Sequence, residues 1–104
     1  MTLMEFTLIP LDKGDSFSEY VAGVLDIVDS SGLDYRLTPM GTVVEGEWTD
    51  LLNLLDQCFR SVAEMSNRVS LSVKFDHRKG YKGRLAGKVK SVQDKLGRKL
   101  KSTE

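Results

Sequence analysis

The stretch RVSLSVKFD, residues 68–76, alternates without interruption between apolar and polar positions. Successive side chains of an extended chain point to opposite faces. Val69, Leu71, Val73 and Phe75 therefore share one side, and Ser70, Ser72, Lys74 and Asp76 share the other. A strand buried on both faces would instead read as an unbroken apolar run. The pattern demands a sheet with one face covered by other elements and one face of different chemistry. The cover must come from the rest of 104 residues, a length that suits one compact domain. We expect a single domain over residues 1–104.

Two segments supply that cover. In SFSEYVAGVLDIVDSSG, residues 16–32, Phe17, Tyr20, Val21, Val24, Leu25 and Val28 recur at helical spacing. Ser16 and Glu19 have the spacing of a capping box, in which each side chain satisfies an orphan amide of the first turn. Gly32 stands where a left-handed residue would end the helix. In WTDLLNLLDQCFRSVAEMSN, residues 48–67, Leu51, Leu55, Cys58, Phe59, Val62 and Met65 predict an apolar helical face.

Strands fill the intervals. MEFTLIPL, residues 4–11, places Phe6 and Leu8 on one side and Thr7 and Ile9 on the other. DYRLTPM and TVVEGE, residues 34–40 and 42–47, are joined tightly enough to predict an antiparallel hairpin. Pro39 cannot donate to a ladder and belongs near a strand end or on an edge. LAGKVKSVQDKLGRKL, residues 85–100, predicts a third helix with Leu85, Val89, Val92 and Leu96 on one stripe. The order βαββαβ, with a C-terminal helix added, predicts an α+β ferredoxin-like sandwich. Its second sheet face would carry Thr7, Ile9, Arg36, Thr38, Ser70, Ser72 and Lys74. Short hydroxyls there suit a close-lying second sheet or a small polar ligand, and equally an ordinary β-propensity choice of Ser and Thr.

Several functions are excluded or weakened. One cysteine, Cys58, rules out an internal disulfide and a paired-cysteine metal loop. Its place on an apolar stripe reads as a small buried hydrophobe, with no basic neighbour to activate it. His77 and Asp76 are adjacent and point to opposite faces of a strand, so they form no dyad. The sequence holds no Ser-His-Asp set, GxSxG elbow or phosphate loop. We expect no catalysis and no metal. RNA recognition on this topology needs stacking aromatics on the open face, and TVVEGEW offers glutamates instead. No run of about 18 apolar residues or basic-apolar leader is found, so a cytoplasmic protein that neither spans membranes nor binds nucleic acid is expected.

Formal charge is balanced, but its distribution is not. Between residues 78 and 101 ten residues are basic and only Asp94 is acidic. The segment reads as a solvated helix face, or as a docking surface for a protein or anionic partner.

LTPMGTVVEGEW, residues 37–48, is the remaining feature. Glu45 and Glu47 alternate along one strand and so share a face, where like charges repel unless a positive or proton-donating group intervenes. Trp48 follows directly. The residues alone allow a plain hairpin with glutamates solvated or paired with Arg36 and a packed indole. They also allow one that presents carboxylate, hydroxyl and indole to a ligand.

The ordered motifs Tyr20-Val21-Ala22, Ser31-Gly32-Leu33 with Tyr35, Pro39-Met40-Gly41-Thr42 and Glu45-Gly46-Glu47-Trp48 resemble the thiamine-binding protein family, the YkoF-like group of small ferredoxin-like proteins. Arg68, Val69, Lys74, Asp76 and Arg78 match its later strand. The resemblance spans nearly the whole chain, and HRKGYKGRLAG departs from it in being more basic and glycine-rich. It implies a homo-oligomer, a dimer or tetramer, that binds thiamine or its hydroxymethylpyrimidine precursor without catalysis. It turns the hairpin reading toward a ligand site. Thr38, Thr42, Glu45, Glu47 and Trp48 are then the expected ligand-binding residues, with thiamine the candidate ligand and no further cofactor.

Overall fold

The computed structural model describes residues 1–14, 18–81 and 83–99. Its elements are β1 (Thr2–Pro10), α1 (Ser18–Ser30), β2 (Asp34–Thr38), β3 (Gly41–Gly46), α2 (Trp48–Ala63), β4 (Val69–His77) and α3 (Arg84–Leu96). The strands form an antiparallel sheet in the order β2-β3-β1-β4. This is the ferredoxin-like α+β arrangement, with α3 added.

The core lies between one sheet face and the helices α1 and α2. Met4, Phe6 and Leu8 of central β1 and Val44 of β3 are buried there. They meet Val24 and Val28 of α1 and Leu51, Leu54, Cys58 and Val62 of α2. Burying each large apolar side chain contributes about 1.5–3 kcal/mol before the entropy of ordering is counted. Gly32, at φ 76°, ends α1 in the left-handed region. Beside it the Ser31 hydroxyl donates to the Val28 carbonyl at 2.6 Å and accepts from the Leu33 amide at 3.2 Å. Ser16 and Phe17 lie outside the described residues.

The hairpin closes through Thr38-Pro39-Met40-Gly41, with Thr38 opposite Gly41. The proline occupies the first central position of the turn, where its fixed φ fits. Gly41 is required by close approach. A Cβ there would stand 2.8 Å from Thr7 Oγ1 and 2.9 Å from the Phe6 carbonyl oxygen. At the same end of the molecule Asp12 clamps two connections together. Its carboxylate accepts from the Ser66 hydroxyl at 2.5 Å and from the Asn67 amide at 2.8 Å.

Some expectations change. On α2, Leu54 rather than Phe59 completes the buried stripe, and Phe59 and Met65 are exposed. Val73 has the predicted phase but is 40 % exposed, because β4 is an edge strand flanked by only one neighbour. Glu47 does not continue β3. The strand ends at Gly46, and Glu47 is the N-cap of α2 at φ −73°, ψ 150°. On α3, Leu85 is half-buried while Val92 and Leu96 are exposed. The side chain of Val89 and all of Leu100 lie outside the described residues.

Candidate functional site

The pairing register arranges the second sheet face in rows. Asp34 of β2 lies opposite Glu45 of β3, Glu45 opposite Leu3 of β1, and Leu3 opposite Asp76 of β4. The next row runs Arg36, Val43, Glu5 and Lys74, and Thr7 pairs with Ser72 beyond it. A row holding three carboxylates thus abuts a row with two cations and one carboxylate. Arg36 Nη1 donates to Asp34 Oδ1 at 2.9 Å and to the Tyr35 carbonyl at 2.7 Å, so it bridges the rows.

Glu45 is the unusual member. It is only 5 % exposed, although its side lies away from α1 and α2. α3 approaches both β2 and β3. Burying a carboxylate is costly unless hydrogen bonds or opposite charge compensate it. Ordinary sheet propensity gives no reason for a glutamate at that point. Among the described residues no group of three or more His, Cys, Asp or Glu could hold a metal ion. Leu3 separates Glu45 from Asp76, and strands lie about 4.8 Å apart.

The other expected residues disperse. Thr42 is buried on the α1/α2 side, opposite Phe6 and Leu37. It stands about 10 Å along the strand from Glu45, at roughly 3.4 Å per residue. The Thr38 hydroxyl donates to the Gly41 carbonyl at 2.9 Å and accepts from the Met40 and Gly41 amides at 3.2 and 3.1 Å. A hydroxyl has one donor and two acceptor positions, so Thr38 is fully occupied in holding the turn. Glu47 is exposed. The Trp48 ring packs on Phe75, on the helix-covered side of the sheet. The five residues therefore fall into a turn pair, Thr38 and Thr42, and a strand-end group in which Glu45 and Trp48 occupy opposite faces.

The turn pair borders a cleft of about 490 Å³ between α1 and the hairpin, floored by Phe6, Leu8, Val24 and Leu25 and rimmed by Leu37 and Met40. Its size suits a small molecule, but Thr7 and Thr38, two of its three hydroxyl residues, donate to hairpin carbonyls. At the strand end, Thr2 Oγ1 and His77 Nδ1 are 2.8 Å apart across the β1–β4 pair. The histidine is engaged with a hydroxyl. Burial pushes the Cys58 thiol up to about 11, so it is protonated at neutral pH and a poor nucleophile.

The sequence profile of the thiamine-binding protein family matches residues 4–93. The chain belongs to this family. Its relatives include the UPF0045 protein MJ1052 of Methanocaldococcus jannaschii, 32% identical over 88 residues covering 85% of this chain and 88% of the relative. YqgV of Bacillus subtilis is 31% identical over 102 residues, covering 92% and 98%. The crystal structure of MJ1052 superposes with a TM-score of 0.81 at 30% identity, covering 89% of this chain and 96% of that one. TM0486 of Thermotoga maritima, named for a candidate role in thiamine biosynthesis or salvage, superposes at 0.77 with 20% identity, covering 88% and 97%. That second likeness establishes the shared fold.

Within this thiamine-binding family fold, sequence reasoning missed Asp34 and Asp76 as neighbours of the Glu45 row. The first was open to inference. A two-residue turn pairing Thr38 with Gly41 puts Asp34 opposite Glu45 by counting alone. The second was not, since it depends on which strands lie beside β1.

Proposed function

We propose that the protein binds thiamine or its hydroxymethylpyrimidine precursor without converting it, and that Glu45 is the charge partner of the ligand. The burial of Glu45 on the sheet face away from α1 and α2, in a member of a family named for thiamine binding, carries this reading. Thiamine has a cationic thiazolium and an aminopyrimidine that donates and accepts hydrogen bonds. A carboxylate held away from bulk water compensates the cation or accepts from the amino group more strongly than an exposed one. Arg36 and Asp34 beside it fix the polarity of the row. Thr38 and Thr42 act from the turn end by holding the hairpin in shape, and Glu47 and Trp48 set the strand-to-helix corner that follows Glu45.

The site is completed by a second subunit. The face around Thr7, Ser70 and Ser72 carries short side chains, and Ser70 and Ser72 are exposed, which leaves room for another sheet. The assembly is a homo-oligomer, a dimer or tetramer, in the cytoplasm. The thiamine biosynthesis or salvage role attached to TM0486 accords with carriage, buffering or sensing of the vitamin. Native mass spectrometry of protein purified without added ligand tests both parts. A multimer carrying a bound mass of thiamine or its pyrimidine supports the reading, and a bare monomer opposes it.

A second reading has its own observation. Val92 and Leu96 are exposed on the same helix as the exposed Lys90 and Lys95. An amphipathic basic helix of this kind can dock on a protein or an anionic surface. Loss of that docking on charge reversal of Lys90 and Lys95, with thiamine binding intact, would distinguish it.

A further inference from the structure

The cleft between α1 and the hairpin lies on the opposite sheet face from Glu45. It exists because the two ladders of β1 differ in length. β3 pairs with β1 only as far as Thr42, opposite Phe6, whereas β4 stays paired through Thr7, Leu8 and Ile9. Beyond Phe6 one side of β1 therefore has the hairpin turn beside it instead of a strand. Phe6 and Leu8 form the floor with Val24 and Leu25 of α1. Among the described residues that line its volume of about 490 Å³, none has a charged side chain.

One polar group inside the cleft is unused. The Thr7 and Thr38 hydroxyls donate to hairpin carbonyls. Thr42 is 8 % exposed, and its hydroxyl has no hydrogen-bond partner among the described residues. Every fully enclosed side-chain oxygen or nitrogen among those residues is paired. The Thr42 oxygen therefore keeps an opening, and the space it lines is the cleft. Burying an unpaired hydroxyl is unfavourable. Valine has nearly the same outline and the same liking for strands, so packing alone does not call for threonine here.

We propose that this cleft is a second binding site, for a neutral and mostly apolar molecule with one hydroxyl or carbonyl group, and that Thr42 recognises that group. The site is independent of the vitamin site proposed above and differs from it in chemistry. With no carboxylate in the lining, a thiazolium entering the cleft would lose its hydration without compensation. A neutral ring or short acyl chain loses little and gains apolar walls. The Thr42 hydroxyl donates to a carbonyl or accepts from a hydroxyl, so a single polar group on the ligand is matched. Small-molecule sites of roughly 300–1,000 Å³ are mostly apolar with a few placed polar groups, as this one is.

The rim suits entry. Met40 is 82 % exposed although apolar, and Val21 and Leu37 beside the cleft are exposed as well. The Met40 backbone is fixed, since its amide donates to the Thr38 hydroxyl at 3.2 Å and its carbonyl accepts from the Thr7 hydroxyl at 2.9 Å. Its unbranched thioether is the adaptable part. A fixed turn carrying an adaptable side chain can fold over ligands of different outline without moving the hairpin.

Titration of the full chain with benzyl alcohol and with toluene, read from amide chemical shifts, tests the proposal. The two probes share a ring and differ by one hydroxyl. Both should shift the amides of Val24, Leu25 and Thr42, with Kd on the order of millimolar for ligands this small. Thr42→Val should weaken benzyl alcohol by about two- to tenfold, the worth of one neutral hydrogen bond, and leave toluene as it was. Thr42→Ser keeps the hydroxyl and should retain benzyl alcohol binding. The melting temperature of Thr42→Val should equal or exceed that of the wild type, because no internal hydrogen bond is lost. Thiamine at the same concentration should leave these amides in place. A lower melting temperature for Thr42→Val, or the same response of both probes to it, would assign the hydroxyl to structure and overturn the proposal. Shifts at these amides caused by thiamine would make the cleft the vitamin's site, and no shift with either probe would show it closed to ligands. Either result ends the proposal of a second site.

Discussion

Trp48 leans on Phe75 with ring centroids 4.6 Å apart and planes inclined by 56°. The contact pins the first turn of α2 to the last residues of β4. Glu45, three residues earlier, faces the opposite side of the sheet. A single short segment therefore supplies a structural anchor to one layer and a buried carboxylate to the other.

Replacing the anchor should cost stability rather than ligand affinity. Trp48→Ala removes a tilted aromatic pair and about half of a buried indole, a loss of about 1–3 kcal/mol. Trp48→Phe should recover most of it. Urea unfolding followed by circular dichroism reads both. Wild-type stability for Trp48→Ala would contradict the anchoring role.

Acid stability should depend on Asp12. The hydrogen bond from the Ser66 hydroxyl, then that from the Asn67 amide, holds its carboxyl below the usual 3.8. A group whose folded pKa is depressed contributes stability above its unfolded pKa and loses it as pH falls through the folded value. The contribution is present at neutral pH, begins to fall below about pH 4 and is gone once pH lies below the folded value. Asp12→Asn should therefore lower the melting temperature at pH 7, by a gap that narrows as pH falls below about 4. A constant gap between their melting curves from pH 7 to pH 3 would contradict this origin.

Gly41→Ala should destabilise the hairpin by about 1–3 kcal/mol, the scale of forced overpacking. The added methyl meets the backbone carbonyl of Phe6 as well as the Thr7 hydroxyl, and the backbone cannot turn aside as a side chain could. Gly41→Ala with Thr7→Ala removes only the side-chain part of the clash and should recover little. Full recovery in thermal melts would show that the Phe6 contact yields easily.

These positions also mark what could be read from the sequence. The alternation at residues 69–76 and the helical spacing in α1 were legible, because side-chain period is a local property. The helix end at Gly32 was legible for the same reason. The exposure of Val73 was not, since being at an edge depends on strand order. Phe59 was misplaced because α2 carries apolar residues over more than one stripe, and only packing selects which of them is buried. Thr38 looked like a ligand hydroxyl, yet its three hydrogen bonds are spent within four residues. Glu45 was singled out for its charge. Its burial is a property of the folded chain and leaves no mark in the hairpin itself.

Calorimetric titration of wild type and Glu45→Gln with thiamine and with hydroxymethylpyrimidine tests the central claim most directly. The substitution keeps the shape of the side chain and removes the charge. A charge-assisted hydrogen bond contributes about 1.5–3 kcal/mol, which corresponds to about ten- to a hundredfold in Kd. The account predicts wild-type binding tighter than millimolar, weakened by that factor in Glu45→Gln, with the variant folded at the same concentration. Equal affinity for the two proteins, or no binding by the wild type, would contradict it.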